Sequence, residues 1–121
     1  MQYMLLIYAA PGRWESLSDD ERKGVYAQYA AVGEELRNRN AYIAGAELQG
    51  VTSATSVRVR DGEFEVTDGP FAETKEALGG YYLIEADSLD EAIEWAAKIP
   101  AATHGVVEVR PLVMQETEVS A

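Results

Sequence analysis

The chain contains no cysteine. That absence excludes a disulfide framework, thiolate chemistry and the zinc or iron–sulfur sites that thiolates build. It fits a reducing compartment. Positive charge is scarce: 10 Lys and Arg stand against 21 Asp and Glu, a formal net charge of −11. Nucleic-acid binding rests on clustered basic side chains that neutralise phosphates, so direct binding to nucleic acid is not expected. Adsorption to anionic membranes is disfavoured for the same reason. Long hydrophobic runs are absent as well, and none approaches the ~20 apolar residues of a transmembrane helix. No Lys or Arg precedes the first apolar run, so the N-terminus does not read as a signal peptide, and a cytoplasmic protein is expected. Histidine is limited to His104. Without His or Cys partners, or a spaced Asp loop of the EF-hand type, no metal site is expected, and no cofactor either.

What is present reads as one compact domain. The chain has 121 residues, of which 47% are hydrophobic. That length buries roughly two-thirds of the unfolded surface without disulfides. A single domain is expected over residues 1–112, followed by a C-terminal tail over 113–121.

Residues 1–10, "MQYMLLIYAA", form a short, nearly continuous apolar run that suits a buried strand. Residues 18–39 read as a helix. Ser18 with Glu21 is a capping box, and Val25, Tyr29, Val32 and Leu36 make one apolar stripe. Residues 42–48 read as a second strand. In "SVRVRDGEFEV", Asp61-Gly62 supplies a two-residue hairpin turn, because a type I′ turn needs positive φ at both central positions. Folding about it pairs Arg60 with Glu63, Val59 with Phe64, Arg58 with Glu65 and Val57 with Val66. Charge meets opposite charge and apolar meets apolar, so one face is expected wet and the other packed inward. Residues 79–86 form another buried strand. Ser88 with Glu91 caps a second helix, whose expected stripe is Leu89, Ala92, Ile93 and Ala96, and Pro100 marks its end. A loop with His104 leads into a last strand over 106–110.

The order β-α-β-(hairpin)-β-α-β predicts an α+β, ferredoxin-like sandwich, with an antiparallel sheet and both helices on one face. The other sheet face keeps apolar residues from "MLLIY", "YYLI" and "VVEV". A second copy of the chain is the simplest cover, so a homodimer is expected, with two sheets facing each other.

The segment 67–76, "TDGPFAETKE", carries the candidate chemistry. Asp68-Gly69-Pro70 has the composition of a specialised turn, and Phe71 is expected as a core anchor. Lys75 is the only base between Asp61 and Glu76, against six acids. A lone cation among carboxylates can hold an anionic ligand or tune an acid. Candidate catalytic residues are Asp68, Glu73 and His104; candidate ligand-binding residues are Lys75, Glu76 and Arg110. His104 has an ordinary pKa near neutrality and so suits a general base. Tyr3, Tyr8, Tyr81 and Tyr82 fall on expected strands, as core, interface or pocket-lining aromatics.

The run "TDGPFAETKEALGGYYLIEADSLDEAIEWAAKIP", with "MQYMLLIY" before it and "VEVRPL" after it, resembles the DGPF branch of the YCII-related group. The resemblance spans about residues 1–112. It implies a dimeric α+β barrel type of fold and small-molecule enzymology through a His–Asp pair. It also implies an alternative role, as an accessory module associated with extracytoplasmic-function sigma factors. The YCII histidine sits on the first helix, where this chain has Gln28 and Tyr29. A His–Asp centre here would need His104 to reach Asp68 or Glu73.

Overall fold

A computed structural model describes residues 1–114; most of the expected tail lies outside them. Six strands and three helices follow in the order β1 (Gln2–Ala9), α1 (Arg13–Ser16), α2 (Asp19–Asn38), β2 (Tyr42–Glu47), β3 (Thr55–Arg60), β4 (Glu63–Asp68), β5 (Ala77–Glu85), α3 (Leu89–Ala97) and β6 (Val106–Pro111). Short 3-10 turns precede β3 and β6. Helix α1 is one turn more than the sequence predicts. It is held by Arg22, whose guanidinium donates to the Trp14 and Glu15 carbonyls at 3.1 and 3.0 Å.

Four strands form one antiparallel sheet in the order β2-β5-β1-β6. Each β-α-β unit is split by a strand from the other, which is the ferredoxin-like arrangement expected. The capping box forms: the Ser18 amide donates to Glu21 at 2.8 Å, and the Glu21 amide donates to the Ser18 hydroxyl at 3.1 Å. Helix α2 ends where Asn40 turns left-handed at φ 57°. The amides of Asn40 and Ala41 then reach back to the carbonyls of Arg37 and Leu36, closing a Schellman motif.

The core lies between the helices and one sheet face. Leu5, Leu36, Ile84 and Ile99 are fully buried, and each contributes about 1.5–3 kcal/mol relative to exposure. Tyr3, Val32, Ala92, Trp95 and Ala96 complete it. The α2 stripe packs as the periodicity predicts, with Tyr82 donating to the Tyr29 carbonyl at 3.0 Å. The α3 stripe is rotated from expectation: Leu89 and Ile93 are half exposed, while Trp95 is buried. One large indole offers more apolar area than either aliphatic alone, and the side of the helix that carries it, with Ala92 and Ala96, faces inward.

The hairpin forms with every expected pair in register, and Asp61 and Gly62 both have positive φ. Its expected packing is corrected. The β3 and β4 strands make a separate two-stranded sheet. Its apolar side chains Val57, Val59, Phe64 and Val66 are 60–80% exposed. Phe71, expected in the core, is 78% exposed. Cross-strand pattern determines which face is apolar, but it carries no information about what covers that face.

Candidate functional site

β1 ends, β6 begins and the loop into β5 arrives at one end of the four-stranded sheet. Gly105 brings these pieces together. A Cβ there would sit 2.1 Å from the Tyr8 carbonyl oxygen, so only glycine allows the approach. His104 and Val106 are thereby held on either side of the end of β1, with Val106 directly opposite Tyr8.

On the sheet face away from the helices, Tyr8, Glu76, Val106 and Glu108 line a pocket of about 430 Å³. The Tyr8 hydroxyl donates to Glu108 Oε1 at 3.3 Å. Burial raises the Tyr8 pKa, the Glu108 charge and hydrogen bond raise it further, and Arg110 offsets part of this. Tyr8 is therefore a neutral phenol at physiological pH and a hydrogen-bond donor. Glu76 is half-buried. Its loop is shaped locally by the Thr74 hydroxyl, which donates to the Glu76 carbonyl at 2.6 Å. A phenol facing two carboxylates can donate to a ligand carbonyl and accept from ligand hydroxyls. The same carboxylates repel an anionic ligand.

A second groove of about 650 Å³ lies on the helix side, between α2 and the 3-10 turn before β6. Its walls include Arg13, Gln28 and His104. Burial lowers the His104 pKa, the Arg13 charge lowers it further, and Glu76 partly offsets both. His104 is thus a neutral imidazole at pH 7. Gln28 shares this groove with it.

The expected site residues divide into two sets. Glu76 and His104 lie at this end of the sheet, where the Glu76 charge acts on His104; Arg110 stands opposite Met4, four positions along β6 from Val106, and reaches Tyr8 only through its charge. Asp68, Glu73 and Lys75 line neither cavity. Asp68 ends β4 opposite Thr55 and is exposed, as are Glu73 and Lys75 in the following loop. Beside Asp68, Gly69 adopts φ 90°. Its amide donates to the Ala54 carbonyl at 2.7 Å, and its carbonyl accepts from the Ser56 hydroxyl at 2.8 Å. The Asp-Gly-Pro turn thus ties off the root of the hairpin. Among the described residues no cluster of three His, Asp or Glu is placed to hold a metal. No helix among them is long and apolar enough to cross a membrane.

Two residues of the site, Glu108 and Arg13, stand outside the motifs of the sequence. Glu108 was nonetheless signalled by alternation: in "VVEVR", Glu108 and Arg110 share the face opposite Val107 and Val109. Nothing local marks Arg13, which reaches the groove only through the fold.

A solved structure with the same fold is that of 5-chloro-2-hydroxyhydroquinone dehydrochlorinase from Burkholderia phenoliruptrix, in complex with 2,5-dihydroxybenzoquinone. It is similar at a TM-score of 0.57 and 18% identity, over 97% of this chain and 98% of that one. An uncharacterised protein of Rhizobium meliloti is 38% identical over 116 residues, 94% of each chain. The model of the YCII-related domain matches residues 1–116. On that match over nearly its whole length, the chain belongs to the YCII-related family.

Proposed function

We propose that this chain is a cytoplasmic homodimer that binds a small hydroxylated, planar molecule and acts on it by acid–base chemistry without a cofactor. The observation that carries the reading is the Tyr8 phenol, hydrogen-bonded to Glu108 and facing Glu76 across a pocket on the open sheet face. Tyr8 is the proton donor of the site, and Glu76 or Glu108 takes up a proton from a ligand hydroxyl. The pocket's negative charge favours a neutral phenol over a carboxylic acid. The dehydrochlorinase of the same fold, with its bound dihydroxybenzoquinone, supports phenols and quinones as the first compounds to try. The dimer reading rests on half-buried Met4, Leu6, Tyr81 and Leu83, which share that open face beside the pocket.

Thermal-shift titration with hydroquinones, hydroxyquinols and quinones tests the proposal. A rise in melting temperature for the wild type, lost in Tyr8→Phe and Glu108→Gln, supports it. No shift with any member of these classes would sink it. A co-purifying sigma factor bound to a protein that takes none of these ligands would instead support the regulatory role.

A further inference from the structure

The helix-side groove, at about 650 Å³, has the size of a small-molecule site. One wall is a single face of α2, where Val25, Gln28, Val32 and Glu35 recur at spacings that keep them on one side of a helix. The end of α3 and the 3-10 turn Pro100–Thr103 form the other wall. Val32 and Ile99 are buried and give the groove an apolar floor. Three charged side chains line it, Arg13, Glu35 and Lys98. Lys98 and Glu35 neutralise each other in an ion pair at 2.7 Å. Arg13 makes no ion pair among the described residues. With His104 neutral, the groove keeps one positive charge in a chain of net charge −11.

We propose that this groove is a second ligand site, which takes a small monocarboxylate with an apolar body and anchors it on Arg13. The proposal goes beyond the phenol reading of the Tyr8 pocket and does not depend on it. A planar guanidinium meets a carboxylate through two parallel hydrogen bonds. The Gln28 amide adds an uncharged donor in the same groove. An apolar body covers Val25, Val32 and Ile99 and removes their surface from water. Charge sets the class of ligand. One carboxylate balances the one uncompensated cation, whereas a dianion would leave excess negative charge on an acidic chain. The Tyr8 pocket, lined by Glu76 and Glu108, repels the same ligand. The two cavities therefore sort small molecules by charge.

His104 reports on the groove from within. The charged groups around it are Arg13, Glu35 and Lys98 in the groove and Glu76 from the loop into β5. A bound anion favours the imidazolium and so raises the His104 pKa.

Benzoate, with benzamide as its uncharged counterpart, tests the proposal by calorimetric titration at pH 7 and by proton NMR of the His104 ring. Benzoate is expected to bind the wild type and to raise the His104 midpoint. Arg13→Gln is expected to weaken binding by about tenfold or more, the loss of a charge-assisted hydrogen bond. Gln28→Glu puts a carboxylate on an exposed position of the same wall, and should also weaken binding while far-ultraviolet circular dichroism is unchanged. Benzamide binding as well as benzoate overturns the proposal, as does undiminished benzoate binding in Arg13→Gln. Absence of both heat and His104 movement at millimolar benzoate overturns it too. Arg13→Gln is expected to keep the rise in melting temperature with hydroquinones, and Tyr8→Phe to keep benzoate binding, so failure of one site is seen separately from failure of the other.

Discussion

The Tyr8 hydroxyl and the Glu108 carboxylate meet at 3.3 Å across the β1–β6 pair. They are diagonal neighbours in the register, since Tyr8 lies opposite Val106 and Leu6 opposite Glu108. Burial is the main cause of the raised Tyr8 pKa, and the Glu108 charge adds to it. Glu108→Gln is expected to lower that pKa toward the ordinary tyrosine value of about 10. Ultraviolet tyrosinate titration, with Tyr8→Phe subtracted to isolate one tyrosine among seven, reads the change. An unmoved Tyr8 titration in Glu108→Gln would show that the carboxylate does not act on the phenol.

Tyr29 and Tyr82 also have raised pKa values, chiefly from burial. A folded value above the unfolded one favours the protonated, folded state. Their contribution to stability is therefore complete below about pH 10 and is lost as pH rises through their folded values. The melting temperature is expected to fall on that alkaline side. Tyr29→Phe should flatten the slope, and an unchanged slope would refute the assignment.

His104 gives a clean acid-side test because it is the only histidine. Its depressed pKa means that the unfolded chain takes up the proton more readily than the fold does. Stability from this group is complete above about pH 6.5 and is lost as pH falls through the folded value. In a proton NMR titration, Arg13→Ala should raise the His104 midpoint and Glu76→Gln should lower it further. Opposite movements, or none from Glu76→Gln, would separate His104 from this end of the sheet.

The fold was legible where local chemistry decides it. The Ser18 cap, the Asp61-Gly62 turn and the 3-4 periodicity of α2 each act within a few residues, and each forms as read. Where several residues compete for one environment, the pattern alone was insufficient. Trp95 displaced Leu89 and Ile93 from the buried side of α3, and Val57, Val59 and Phe64 face water despite perfect alternation. The candidate site was legible in part for the same reason. Glu76 and His104 come from segments marked by charge or rarity. Their assembly depends on Gly105 meeting Tyr8, 97 positions earlier in the chain, and no short-range signal encodes that contact.

Gly105→Ala tests the meeting itself. The new methyl group would stand 2.1 Å from the Tyr8 carbonyl, a rigid backbone atom, so β1 and the start of β6 must separate. A destabilisation of about 2–4 kcal/mol is expected in chemical denaturation, the range of strong backbone clashes and overpacking. Ala at Gly62, which is strained by its φ of 81° but has open space around it, should cost less, about 1 kcal/mol. Equal costs at the two positions would mean that the contact with Tyr8 is not tight.

Phe71 and Leu36 separate packing from exposure. Leu36 is fully buried between α2 and the sheet, so Leu36→Ala is expected to cost about 2–5 kcal/mol. Phe71 belongs to the Asp-Gly-Pro-Phe signature but is 78% exposed, so Phe71→Ala is expected to change stability by less than about 0.5 kcal/mol. The comparison is made by urea denaturation of both variants at one protein concentration, because the apparent stability of any oligomer depends on it. A loss at Phe71 as large as that at Leu36 would mean that this aromatic is covered in the native assembly. Repeating the denaturation over a range of protein concentrations identifies the cover: a loss at Phe71 that changes on dilution comes from a second copy, and one that does not comes from the chain's own core.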